Sequence, residues 1–378
     1  MLIVTEEQRL SRKALPEGVW TQGVVPFVIT SSSAADRAVI LAAIAHWEAA
    51  TCVTFFEQPE SYMYGPHIRF IKDSGCWSYV GMVPSMWGQE LSIGRGCEYL
   101  GIVAHEIGHA LGFFHEQSRT DRETYVTVLP ENMVDGVSYN FRIESLAESL
   151  GVPYDLSSLM HYGSFSFSRN GMPTIVTKDM VLSGRIGNRE GLSHRDKHLM
   201  NLLYNCTCFN PPTCLNGGYV DKYCTCVCPP GTTGSNCATV TGTYYGETCG
   251  DQNITTAGTV NSPNYPAVYP PGQHCVWIIK APAGMRVRVI FNVFKIIYRY
   301  VDVAAGLNLC PWDWMAVHTD ADSTPDQVKC GTELLNQTIT STGNRLALEL
   351  HSHTKTYAHL QTGFSATVTF VIATNSDA

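Results

Sequence analysis

The chain has 378 residues, of which 44% are apolar and 15% charged, with a formal net charge of −8. That length and apolar content suit two or three packed domains. The acidic balance and the lack of any Lys/Arg-rich block exclude nucleic acid and acidic membrane surfaces as partners, and no apolar run approaches the roughly eighteen residues of a membrane span.

In chain order, residues 1–12 are polar, and Arg9, Arg12 and Lys13 mark a processing site. Nothing there resembles a basic-then-apolar leader, so the start reads as truncated. Val24–Ile29 is a β-branched strand and Ala34–Thr51 an amphipathic helix with Ile40, Leu41, Ile44 and Trp47 at helical spacing. A second strand covers His67–Ile71. Leu100–Phe113 is a helix that stops near Gly112, and Ser193 caps a last helix running to Leu203. At Cys206 the texture changes: six of the fourteen cysteines crowd between Cys208 and Cys237, a segment too small for a core and therefore stapled. Beyond Thr241 short apolar runs alternate, as in Gly284–Phe291 and Arg345–Leu350, which predicts an antiparallel β-sandwich. The even cysteine count and the sequons at Asn205, Asn253 and Asn336 point to an oxidising compartment, hence a secreted, extracellular, disulfide-bonded glycoprotein.

The chemistry concentrates in His105-Glu106-Ile107-Gly108-His109, followed by Gly112 and His115. On a helix, residues four apart lie about 40° apart around the axis and about 6 Å along it, so His105 and His109 share a face. An unbroken helix would turn His115 about 280° from His105. The helix must therefore end first, and Gly112 tolerates the left-handed geometry of such a break. Three neutral imidazoles leave Zn²⁺ an open position for water, the mark of a catalytic site. Zinc lowers the pKa of that water toward ~7, and Glu106 is placed to take its proton and pass it to the leaving amine. A bare H-E-x-x-H is a weak signal; the added glycine and third histidine give the longer metzincin form.

His115-Glu116-Gln-Ser-Arg119-Thr-Asp121-Arg122 continues this motif as the astacin family of metzincin proteases does, and Ser158-Leu-Met160-His-Tyr162 resembles that family's Met-turn. Trp20–Pro26, Ser74–Gly81 and Leu203–Cys206 are similar to its opening strand, its substrate-binding edge strand and its closing helix. The resemblance implies one Zn²⁺ per chain held by His105, His109, His115 and, displaceably, Tyr162. It implies that Met160 floors the ligands and that Tyr162 swings off the metal to hydrogen-bond the tetrahedral intermediate. It implies that buried Glu116 meets the new N-terminus once a propeptide is cleaved near Arg12 or Lys13, the chain being a zymogen; the family's inhibitory propeptide aspartate motif is not present in residues 1–12. Arg189, in Ile186-Gly-Asn-Arg189, is similar to a family arginine that lines the pocket after the scissile bond; a solvated loop arginine is the alternative. The expected protease disulfides are Cys52–Cys206 and Cys76–Cys97.

Cys208, Cys214, Cys224, Cys226, Cys228 and Cys237 resemble an EGF-like module, which implies pairs Cys208–Cys224, Cys214–Cys226 and Cys228–Cys237. Cys249-Gly, Asn261-Ser-Pro-Asn-Tyr-Pro266, Cys275-Val-Trp277, Cys310-Pro-Trp-Asp313 and Cys330-Gly resemble a CUB domain, which implies Cys249–Cys275 and Cys310–Cys330. Of the acidic trio with which many CUB domains bind Ca²⁺, only Asp313 matches; Ile297 or a neighbour, and His353, stand in the other places. Calcium-dependent contacts are therefore not expected, while CUB-mediated protein contacts are. The expected architecture is a processing remnant (1–13), an α+β metzincin protease domain with a five-stranded mixed sheet and an active-site helix (14–207), an EGF-like module (208–240) and an all-β CUB sandwich (241–378). The expected activity is zinc-dependent endoproteolysis of extracellular matrix, cuticle or procollagen-like proteins, since this layout is common among nematode members.

Overall fold

A computed structural model describes residues 18–145, 149–302, 307–353 and 361–373; the expected processing site at Arg9–Lys13 lies outside them. The chain forms two compact units. One holds the residues up to Thr127 together with Gly136–Gly163 and Arg185–Gly246, the other Val128–Asp135, Ser164–Gly184 and the chain from Glu247 onward.

The first unit is built on a five-stranded sheet of β1 (Val24–Ile29), β2 (Thr54–Glu57), β3 (Ile68–Ile71), β4 (Cys76–Ser78) and β5 (Gln89–Ile93), in the order β2-β1-β3-β5-β4. Neighbours run parallel except β4, which lies antiparallel on β5 at the edge. Helix α1 (Arg37–Ala50) buries Ile40, Ala43, Ile44 and Trp47, one stripe at helical spacing. It starts three residues later than the sequence suggests, because Ser31–Asp36 takes a 3₁₀ turn first. Trp47 donates its indole N–H to the Ala104 carbonyl of α2 (Leu100–Ala110) at 2.9 Å, which fixes α1 on α2 without leaving a buried donor unpaired. Helix α3 (His194–Leu203) begins with a reciprocal capping box between Ser193 and Asp196.

Disulfides Cys52–Cys206 and Cys76–Cys97 tie the sheet region. Residues 208–237 contain Cys208–Cys224, Cys214–Cys226 and Cys228–Cys237 around short two-residue ladders. Tyr244 and Tyr245 side with the first unit rather than with the sandwich. Both hydroxyls reach the Asp155 carboxylate, at 3.0 and 3.4 Å, and Arg195 lies 3.9 Å over the Tyr244 ring.

The second unit is an antiparallel sandwich. One sheet has the order β6-β13-β8-β11 and the other β7-β12-β9-β10, with β6 (Gly258–Asn261), β7 (His274–Lys280), β8 (Met285–Lys295), β9 (Trp314–His318), β10 (Gln327–Lys329), β11 (Thr338–Thr340), β12 (Arg345–His351) and β13 (Gly363–Ile372). Trp277, Phe291 and Phe364 form its aromatic centre, and Cys249–Cys275 and Cys310–Cys330 staple it. Residues 128–135 and 164–184 belong with the sandwich, and Phe165 and Met172 pack on its core.

Candidate active site

Helix α2 is buried along almost its whole length, so its terminal carbonyls need partners. Trp20 donates to Ala110 O at 2.8 Å and the Tyr204 hydroxyl to Leu111 O at 2.9 Å. Gly112 then takes φ +114°, with its N–H on His109 O and the Phe113 N–H on Gly108 O, at 2.8 and 2.9 Å. Those two bonds are a Schellman ending, and they turn the chain back toward the helix. The same turn presents Phe113 O to His109 Nδ1 at 2.7 Å, so the break that returns His115 also orients the second histidine.

His105 Nδ1 meets Leu159 O at 2.8 Å. A carbonyl can only accept, so both Nδ1 atoms carry the proton and the Nε2 atoms present lone pairs. His109 Nε2 lies 3.1 Å from His105 Nε2 and 3.2 Å from His115 Nε2, and all three rings are buried. Burial holds the imidazoles neutral: His109 falls to about 3, and His105 and His115 drop well below the ordinary value, with the neighbouring rings adding to the effect. Converging lone pairs repel unless a cation sits between them. Ligand bonds of about 2.05 Å place the corners of a tetrahedron about 3.3 Å apart, so this donor set fits Zn²⁺.

Glu106 is 4% exposed, and its Oε2 has no hydrogen-bond partner among the described residues. Burial raises its pKa to about 7. An orphaned carboxylate oxygen beside three metal-type donors suits a proton-accepting role toward a water held there. The Tyr162 ring lies 4.3 Å from that of His115 and 5.5 Å from that of Phe141, and burial, then Glu106, keeps its phenol protonated. Met160 is 1% exposed and accepts the Glu116 N–H on its carbonyl at 3.1 Å. Glu116 itself accepts from Asp155 N at 2.7 Å and from Arg119 at 3.2 Å, stands outside the imidazole cluster's donor set, and is pushed up to about 8 by burial. It lines a partly open cavity with Phe113, His115, Arg119 and Asp196.

Arg189 is not a solvated loop residue. One guanidinium nitrogen donates to Leu159 O and His161 O, both at 3.1 Å, and to Asn188 O at 2.6 Å, and its charge acts on Glu106 and Tyr162. In the sandwich, the Asp313 carboxylate accepts His353 N at 2.8 Å and the Tyr269 hydroxyl, which occupies both its oxygens. Asn205, Asn253 and Asn336 are exposed.

Three supporting residues escape sequence reading. Gln117, fully buried, accepts the Tyr162 N–H at 3.0 Å. His161 donates Nδ1–H to Tyr162 O at 2.7 Å and meets the Tyr154 hydroxyl through Nε2. Asp196 accepts from Ser158 Oγ, Leu159 N and Ser193 N, so it pins the turn at Ser158 and Leu159 to α3. The Ser193-x-x-Asp196 capping pattern carries a local signal; the Gln117–Tyr162 and Ser158–Asp196 contacts span 45 and 38 residues.

The description of the Astacin peptidase family matches residues 12–205, and that of the CUB domain matches residues 249–368. The chain is 36% identical over 401 residues to Blastula protease 10 of Paracentrotus lividus, across 100% of this chain and 65% of that protein. It is 40% identical over 271 residues to zinc metalloproteinase nas-34 of Caenorhabditis elegans, across 70% of this chain and 44% of that protein. The chain thus spans under two thirds of the length of these relatives. High choriolytic enzyme 1 (HCE-1), a hatching enzyme zinc-protease of Oryzias latipes, matches over 50% of this chain and 96% of its own, with 38% identity and a TM-score of 0.46.

Proposed function

The chain belongs to the astacin family of zinc metalloproteases, and from that membership we propose that it is an endopeptidase that cuts extracellular proteins of the matrix, cuticle or procollagen kind. The observation that carries this reading is the convergence of three buried imidazoles, with the Nε2 atoms of His105 and His115 at 3.1 and 3.2 Å from that of His109, and among the described residues a Glu106 carboxylate oxygen without a partner. His105, His109 and His115 would hold one Zn²⁺, with Tyr162 as a displaceable further ligand. When bound, zinc supplies a Lewis acid that brings a water's pKa to about 7 and polarises the scissile carbonyl. Glu106 accepts the proton of the attacking water and returns it to the leaving amine. The Tyr162 hydroxyl donates to the developing oxyanion, and substrate main chain lies antiparallel along edge strand β4.

Glu116 receives the ammonium freed by cleavage near Arg12 or Lys13; its burial beside a cavity supports that role. Residues 208–240 form the EGF-like spacer, for which the three local disulfides speak. Seven disulfides and three exposed sequons support secretion. No helix among the described residues is long and apolar enough to cross a membrane. The sandwich recruits protein without calcium, since Asp313 already binds Tyr269 and His353; a calcium titration that stabilises the full chain would overturn this.

Digestion of an unfolded protein, with cleavage sites mapped by mass spectrometry, tests the whole reading. Internal cuts should vanish with a zinc chelator and return with added zinc; cleavage indifferent to chelation would end it. Comparison of the same maps for wild type and Arg189→Ala tests the pocket. A preference for acidic residues after the cut should weaken in the variant, and an unchanged preference would remove Arg189 from the pocket.

A further inference from the structure

Tyr244 and Tyr245 fall between the stretches that match the two family descriptions, the first ending at residue 205 and the second starting at 249. They nevertheless belong to the first compact unit, whose last segment runs from Arg185 to Gly246. The residues that lead to them are seated along α3 and α1. His198 stacks on Tyr219 at 5.0 Å, His194 Nε2–H donates to Val227 O at 3.1 Å, and Lys222 donates to Glu48 O on α1. The two tyrosines therefore arrive at a fixed place.

That place is Asp155, which is 1% exposed. A buried carboxylate is destabilising unless donors fill its lone pairs. Ser157 brings its N–H and hydroxyl to Oδ1 at 2.9 and 2.7 Å. Tyr244 donates to Oδ2 at 3.0 Å and Tyr245 to Oδ1 at 3.4 Å. Burial, and then the Asp155 charge, holds both phenols protonated, so each keeps a hydrogen to donate. The Tyr245 oxygen also accepts, from Leu156 N at 3.0 Å and from Arg195 at 3.3 Å. The same Arg195 nitrogen donates to Tyr154 O at 2.7 Å. Two tyrosines and one arginine thus hold three consecutive residues, 154 to 156.

Both sides of that tripeptide lead to the imidazole cluster. Asp155 N donates to Glu116 Oε1 at 2.7 Å, and Glu116 directly follows His115. Asp155 O accepts Ser158 N at 3.1 Å, which folds the next turn, and that turn delivers Leu159 O to His105 Nδ1 at 2.8 Å. We propose that Tyr244 and Tyr245 are positioning residues for the catalytic centre. They form a clamp on Asp155 that fixes the carbonyl behind His105 and the carboxylate beside His115. The inference rests on the reading of those imidazoles as zinc ligands. Residues 208–246 then serve the centre itself and are more than a spacer.

The test uses the full chain with Tyr244→Phe, Tyr245→Phe and the double variant. Each substitution deletes one hydroxyl and keeps the ring, including the face that Arg195 covers at 3.9 Å. In the double variant, amides of residues 155–159 should exchange hydrogen at least about tenfold faster, with α1 and β1 unchanged. Zinc should pass to a chelator several-fold faster, and kcat should fall several-fold with KM little changed. Each single variant should show the same changes at smaller size, so the test stands where the double variant fails to fold. Wild-type exchange over residues 155–159 in every variant would overturn the clamp. So would loosened amides with wild-type zinc release and kcat. Exchange and zinc release need no proteolysis: a wild-type chain that cuts no peptide ends the enzymatic reading, while these two measurements still decide the clamp.

Discussion

Glu106→Gln is expected to lower kcat on the order of 10²- to 10⁴-fold while the chain retains its zinc, because the substitution removes the proton acceptor and keeps the side chain's size. The glutamine side chain has the same shape, so the buried position beside His105 on α2 is refilled. The imidazoles of His105 and His109 keep their carbonyl partners at Leu159 and Phe113. Among the described residues no group holds Glu106 through Oε2, so its replacement breaks no hydrogen bond there that supports the fold. Kinetics of peptide cleavage, measured beside zinc content for both proteins, checks this. A variant that cleaves at the wild-type rate would show that another group takes the proton.

Tyr162→Phe is expected to cost on the order of 10²- to 10³-fold in kcat, the size of losing one donor to a developing oxyanion, with KM changed far less. The phenyl ring keeps its packing at 4.3 Å from His115 and 5.5 Å from Phe141. The backbone stays fixed by Gln117 on the N–H and His161 on the carbonyl. The lost hydroxyl is therefore the main change, and it matters most when charge appears on the substrate oxygen. Equal loss in KM and none in kcat would instead mean that the hydroxyl binds substrate in its ground state.

The readable parts of this molecule are those whose physics is local. Helical spacing puts His105 and His109 on one face, and a glycine able to take positive φ explains how His115 returns; the structure realises that device as a Schellman turn at Gly112. Period-two alternation exposes the sandwich strands at Met285–Lys295 and Arg345–His351. The capping box at Ser193 and Asp196 marks the start of α3. What sequence does not disclose is long-range pairing of polar groups. Gln117 and Tyr162 stand 45 residues apart, and Ser183 and Glu349 stand 166 apart. Each of these side chains is ordinary where it occurs in the chain. The same holds for residues 164–184, whose place with the sandwich depends on Phe165 and Met172 finding its core. The three-residue difference at the start of helix α1 has a smaller cause: Ser31–Asp36 satisfies its backbone in a 3₁₀ turn that propensity does not distinguish from a helix start.

Zinc-edge X-ray absorption on the zinc-loaded full chain is the most direct test of the central claim. It should show one zinc per chain with a nitrogen and oxygen shell at about 2.0–2.1 Å that contains three imidazoles, and His109→Ala should lose the metal. A shell with sulfur, one with fewer than three imidazoles, or zinc held equally well by the His109→Ala chain would contradict it.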